Sequence, residues 1–138
     1  MKILPLLLTM LLLAACTTSS TVPSPPKFTG RYIDARKEVA AKIAPVHREP
    51  LHVPLYLREQ DLDASAVVAF MVEADGRTSE IQIVSASDPE FAQAARNSVA
   101  GWRYAPPVKD GQPVRVVLEE EIGWKPTAGS KSRFMRSQ

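Results

Sequence analysis

Apolar and polar positions set a period of two over residues 66–73. Ala66, Val68, Phe70 and Val72 share one face, and Val67, Ala69 and Met71 share the other. That period predicts a β-strand. Ala74-Asp75-Gly76-Arg77 follows it, and Asp-Gly is a strong hairpin signal. Residues 78–85 are therefore predicted to pair back, with Ile81 and Ile83 toward the core. The pattern then changes. Asp88-Pro89-Glu90 offers an N-cap, a proline at the first helical position and an acid in the first turn. Phe91, Ala95, Val99 and Trp102 recur at spacings of four, four and three, a stripe that lays a helix on the sheet. Ala105-Pro106-Pro107 stops it. Lys109-Asp110-Gly111-Gln112 is a second turn, leading into a last strand over residues 113–124. Val114, Val116, Leu118 and Ile122 share one face of that strand. Glu120 falls in phase with Leu118 and Ile122, so either the strand bulges there or the core has ended.

Upstream, Ile33, Lys37, Ala40 and Ala44 recur at helical spacing, with Tyr32, Val39 and Ile43 on a neighbouring stripe. This predicts a helix over residues 31–44, capped by Thr29 and Gly30 and ended by Pro45. Residues 47–54 form a proline-punctuated approach. Residues 55–62 predict a short helix with Leu55, Leu62 and either Tyr56 or Leu57 inward. From the first of these the order is helix, strand, strand, helix, strand. Its economical solution is an α+β module: a three-stranded antiparallel sheet with helices on one face. The other face carries Val67, Ala69, Met71 and Val117, apolar enough to need cover. The N-terminal helix or a second protomer, in a homodimer, would supply it.

With 138 residues, the chain is long enough for one small domain beyond its leader. The formal net charge is only +2, which gives a nucleic-acid partner no support. A leucine-rich run of about 13 residues, from Ile3 to Ala15, follows Lys2. A spanning helix needs about 20, so the run reads as a signal segment and not as an anchor. It ends in Leu13-Ala14-Ala15-Cys16, and Cys16 is the only cysteine. Ordinary cleavage after Ala15 would explain the small residues alone. A cysteine placed directly after them reads as a bacterial lipobox, with Cys16 lipidated. Thr17, where an aspartate would retain the protein at the inner membrane, favours the outer membrane, lipid-anchored and facing the periplasm. The division expected is a signal peptide (1–15), a Ser/Thr/Pro-rich tether (16–30), the N-terminal helix and connection (31–49), a folded domain (50–124) and a disordered basic tail (125–138). The TTSSTVPSPP stretch of the tether reaches only about 30 Å fully extended.

Chemistry-bearing clusters are missing from the sequence. His47 and His52, with Glu49 between them, lack a further histidine or cysteine to complete a metal shell. No Ser/His/Asp set has a recognisable context, Asp61 and Asp63 look solvated at a helix end, and no glycine-rich phosphate loop exists. No cofactor, no metal and no enzymatic activity are expected.

From Pro50 onward the chain resembles the C-terminal domain of TonB-type energy transducers. Val53-Pro54, Leu57-Arg58 and Asp63-Ala64 stand at the family's opening positions, and the first strand ends in Asp75-Gly76. Phe91, Ala94 and Ala95 occupy its helix positions. Trp102-Arg103-Tyr104-Ala105-Pro106 matches its Trp-Arg-Phe-x-Pro signature, and Asp110-Gly111-Gln112-Pro113-Val114 its turn into the last strand. The resemblance implies a module that acts by binding. Its edge strand would accept an extended peptide from an outer-membrane receptor or another envelope protein, by backbone pairing. Mapped here, that edge is residues 113–122, and Arg115, Val117, Glu119 and Glu121 are the candidate contacts; the alternative is a solvated face whose charges block aggregation. A true transducer also needs an inner-membrane helix with a histidine and a long proline-rich linker. The short tether and signal segment here imply binding without force transduction.

Overall fold

The computed structural model describes residues 24–35 and 43–127. The signal segment, Cys16, most of the tether, the middle of the expected N-terminal helix and the end of the basic tail lie outside the described residues. In chain order the elements are β1 (Ile33–Asp34), β2 (Pro45–His47), α1 (Leu55–Glu59), β3 (Ala64–Val72), β4 (Thr78–Ala86), α2 (Pro89–Gly101), β5 (Arg103–Tyr104), β6 (Val108–Lys109), β7 (Gln112–Pro113) and β8 (Val116–Trp124). The main sheet runs β1-β8-β3-β4. Its three long strands are antiparallel, as the sequence predicts, and β1 adds a short parallel fourth at the β8 edge.

The helix α2 forms where its signals place it. The Asp88 carboxylate accepts a hydrogen bond from the Phe91 N–H at 2.8 Å, and Pro89 opens the helix. Asp88 also accepts from the Tyr56 hydroxyl, which holds the Asp88 carboxyl below its usual range and pushes Tyr56 up to about 12. Phe91, Ala95 and Val99 are fully buried. They meet Ala64, Ala66, Val68, Phe70 and Val72, the even face of β3, in one core with Leu57, Trp102 and Tyr104. In the short helix α1, Leu57 is the buried residue, while Leu55 is 60% and Leu62 43% exposed. Five residues make too little helix to fix its own orientation. Docking on the sheet selects the face, and it selects Leu57 with Tyr56 beside it.

The two Asp-Gly turns also form. Asp75 accepts from the Arg77 N–H at 3.0 Å, and Gly76 sits at φ +87°. Asp110 and Gly111 both take positive φ in the turn between β6 and β7, the geometry favoured in two-residue hairpins. Glu120 neither bulges the strand nor marks the end of the core. The β3–β8 register is unbroken from Ala64↔Trp124 to Val72↔Val116. Glu120 lies on the core face and is satisfied there by Arg48 at 2.8 Å and the Tyr104 hydroxyl at 3.1 Å. Burial, and then Glu120, push the Tyr104 phenol well above its ordinary value, so it stays a donor.

The expected helix over residues 31–44 is not what the described parts of that stretch form. Ile33 and Ala35 donate their N–H groups to Arg115 O at 2.8 Å and Val117 O at 3.1 Å. A sheet edge thus takes the Ala35 donor that a helix would have used internally and the Ile33 donor that its first turn would have left unpaired, a tertiary override of weak local propensity. Ala44 O accepts from the Ala105 N–H at 3.3 Å, and Pro45–His47 pairs with Arg103–Tyr104. Residues 36–42 lie outside the described set.

Candidate binding site at the sheet edge

Every strand residue directs its N–H and C=O to one side, alternately along the chain. In β8 the outward groups are those of Arg115 and Val117, because β1 bonds to them. The same phase puts the backbone of residues 119, 121 and 123 outward. β1 pairs only with Val116 and Val117, and among the described residues no strand covers the edge beyond them. Glu119, Glu121 and Gly123 are exposed, whereas Val116 and Val117 are buried.

The four candidate contacts therefore separate into two pairs. Glu119 and Glu121 stand together beyond the β1 pairing, both exposed. Val117 is fully buried beside β1. Arg115 is turned into the fold. Its guanidinium forks onto Glu73 (2.7 and 2.9 Å), reaches Glu80 at 2.9 Å and donates to Thr29 O at 2.7 Å. Glu80 in turn accepts from the Thr29 N–H and hydroxyl, each at 2.8 Å, and Ser79 donates its hydroxyl to Glu73. Lys27 and Gln82 exchange two further hydrogen bonds. Residues 27–35 thus form a strap across the second face of the sheet, from β4 to β8. Ala69 and Met71, on that face, are fully buried within the one chain, so neither requires a second protomer as cover.

Sequence reasoning missed Glu73, Glu80 and Thr29. Glu80 leaves one signal only in the structure: it takes φ +47° within β4, where the pairing register with β3 shifts. A bulge of this kind re-aims a side chain, and here it points the carboxylate at Arg115 and Thr29. Arg115→Ala is expected to lower stability by about 1.5–3 kcal/mol, the range for hydrogen bonds to charged groups. Hydrogen exchange should rise first at the Ile33 and Ala35 amides, while the α2 amides keep their protection.

The cluster also sets a pH dependence. Arg115 holds the Glu73 carboxyl below its usual range, and Thr29 with Arg115 does the same for Glu80. Glu73 and Arg115 thereby hold each other charged, which raises the guanidinium further. A depressed carboxyl binds fewer protons folded than unfolded, so its stabilisation is complete above the unfolded value and disappears as pH falls through the folded one. Thermal melts should be flat down to about pH 5, then decline below the ordinary glutamate value of 4.5. In Glu73→Gln/Glu80→Gln that decline should shrink.

Other chemistry is sparse. Among the described residues no group of three His, Cys, Asp or Glu side chains could hold a metal ion, and no helix is long and apolar enough to cross a membrane. His47 lies 3.3 Å from Glu49, both exposed. Arg48 lies over the Trp102 ring at 4.5 Å.

A family model described as Gram-negative bacterial TonB protein C-terminal matches residues 50–126. No curated protein matches the chain. Among solved structures, the chain is similar to the solution structure of the Pseudomonas aeruginosa TonB C-terminal domain. Identity is 24%, with 60% of this chain and 85% of that one covered, at a TM-score of 0.49. It is also similar to the TonB2 protein from Vibrio anguillarum, at 19% identity over 75% of this chain and 94% of that one, again with a TM-score of 0.49.

Proposed function

The chain belongs to the family of Gram-negative bacterial TonB protein C-terminal domains, and from that premise we propose that it is a lipid-anchored periplasmic binding module that grips envelope proteins or cell wall. One observation carries this reading: the outward backbone of residues 121–123 has no strand partner among the described residues, while the inner side of β8 is fully paired. Such an edge adds an extended segment of a partner as a further strand. Membership of the TonB C-terminal family supports recognition as its work. The lipobox around Cys16 supports an anchor at the outer membrane, with the domain facing the periplasm. The family membership also supports a second reading, in which the protein is a component of TonB-dependent transport and meets outer-membrane receptors.

One experiment tests both. A photo-crosslinking residue at Glu121, in cells whose inner and outer membranes are then separated, should capture envelope proteins by their extended segments. Capture of outer-membrane receptors supports the transport reading; recovery of cell-wall fragments or unrelated envelope proteins alone would remove it. Cys16→Ser should release the protein to the soluble periplasmic fraction or leave an uncleaved precursor. Unchanged, mature membrane association in that variant would count against lipidation.

A further inference from the structure

The strap stands where an added strand would stand. β1 is two residues long and pairs in parallel with β8 at Val116 and Val117. The Ile33 and Ala35 N–H groups take the outward carbonyls of Arg115 and Val117. The stretch without a strand partner, residues 121–123, falls short of the about 5–6 residues of an ordinary strand. A partner needs the edge from residue 115 onward to build a full-length pairing, and the strap holds the first part of it.

The strap is fastened without being part of the core. No residue from 27 to 35 is buried, and none belongs to the hydrophobic cluster around Phe70 and Phe91. The family match begins only at Pro50, so the family's domain does not include the strap. Segments with few buried apolar contacts and exposed hydrogen bonds open at the low end of the stability range. What lies beneath is apolar. Ala69, Met71 and Val117 are fully buried, whereas Val67, on the same face but beyond the strap, is half-buried. The strap thus hides an apolar row as well as a strand edge. Gly30 is where it passes over Arg115. This residue takes φ +77°, and a Cβ on it would stand 2.8 Å from Arg115 Nη1.

We infer that the strap is an autoinhibitory strand: residues 27–35 must leave the β8 edge before a partner's extended segment can pair with the backbone of Arg115 and Val117. This rests on the proposed edge-binding function and adds its regulation. The segment that takes the place of β1 has the chemistry of the strap itself. It is extended, offers N–H groups at alternate positions and carries an apolar residue in the place of Ile33. Its apparent affinity is the intrinsic affinity reduced by the fraction of molecules whose strap is released.

The test uses the full chain carrying Cys16→Ser and a fluorescein-labelled peptide of residues 27–35, read by anisotropy. A second peptide is N-methylated at the positions of Ile33 and Ala35. Gly30→Ala in the protein strains the strap at a left-handed position and crowds Arg115, while β8 is unaltered. It should tighten peptide binding about tenfold and speed exchange of the Ile33 and Ala35 amides about as much, with the α2 amides unchanged. Joining Lys27→Cys to Gln82→Cys with a short bis-maleimide should abolish binding. The N-methylated peptide should bind none of these proteins. Equal peptide binding to the unaltered, Gly30→Ala and cross-linked proteins would overturn the inference, and capture at Glu121 would decide edge binding separately. Exchange at Ile33 and Ala35 as slow as in α2, before and after Gly30→Ala, would make the strap a fixed part of the fold and overturn it likewise. Rapid exchange there in Gly30→Ala without any peptide binding would show a freed edge that accepts no strand. That result would overturn the inference and the edge-binding reading together.

Discussion

Trp102→Ala should cost about 3–5 kcal/mol, the range for truncating a large buried aromatic. For a domain of this size that lowers the melting temperature by about 15 °C or more. Trp102 is only 4% exposed. It stands at the C-terminal end of α2 and wedges that end against the sheet, with its ring edge-on to Phe70 at 5.9 Å between centroids. Its indole N–H donates to Ser98 Oγ at 3.2 Å and more weakly to Glu49 O at 3.4 Å, and the Arg48 guanidinium covers its outer face. The truncation therefore removes three things at once: the ring packing, the tie to the 43–51 segment, and the platform on which Arg48 reaches Glu120. Trp102→Phe separates them. It keeps an aromatic ring near Phe70, and Glu49 O retains its 2.7 Å bond from Ser98, so it should cost less than half as much. Chemical denaturation of both variants checks the ranking. A near-neutral Trp102→Ala would mean that the α2 end is not clamped by this residue.

Gly76→Ala should cost about 2–5 kcal/mol, and Gly111→Ala only about 1–2 kcal/mol. Both glycines sit in Asp-Gly turns at nearly the same positive φ, +87° and +76°. A left-handed conformation costs a residue with a Cβ about 1–2 kcal/mol. At Gly111 that is the whole effect, because nothing lies within 4 Å of the added atom. At Gly76 the Cβ would stand 2.0 Å from the Tyr104 carbonyl oxygen. Tyr104 cannot retreat cheaply. Its N–H donates to Gly76 O at 2.8 Å, its ring packs on Phe70 and its hydroxyl holds Glu120. Relieving the overlap means moving backbone in a packed core, which adds about 1–3 kcal/mol. Paired urea melts of the two variants give the comparison directly, and equal losses would show that the turn can shift away from Tyr104.

The same contrast measures what was legible before any coordinates. Both Asp-Gly pairs were readable as turns, since φ preference is a property of the residue itself. The start of α2 was readable for a like reason: Asp88, Pro89 and Phe91 act on one another within three positions. The face of β3 followed from its period of two. Leu57 was not singled out, because a helix of one turn has too few positions to state a phase. Glu120 stood in phase with the core and could not be interpreted, because Arg48 is 72 residues away in the chain. Arg115 and Val117 were named as candidate contacts on the face opposite the core. The phase was right, but the strap lies on that face. Glu119 and Glu121 were named as candidate contacts from their phase in the last strand.

By itself, then, the sequence determined the α+β order, the two hairpin turns, the capped helix and its buried stripe. It also carried the motifs that place the chain in its family. All of these are written in residues a few positions apart. Only the tertiary structure decided that residues 27–35 strap the second face, that Arg115 is spent within the fold, and that β1 pairs with β8 at Val116 and Val117. Those outcomes depend on contacts 35–86 residues apart, such as Arg115 with Glu80 and with Thr29. No local period encodes them, because a donor takes whichever acceptor folding brings within reach.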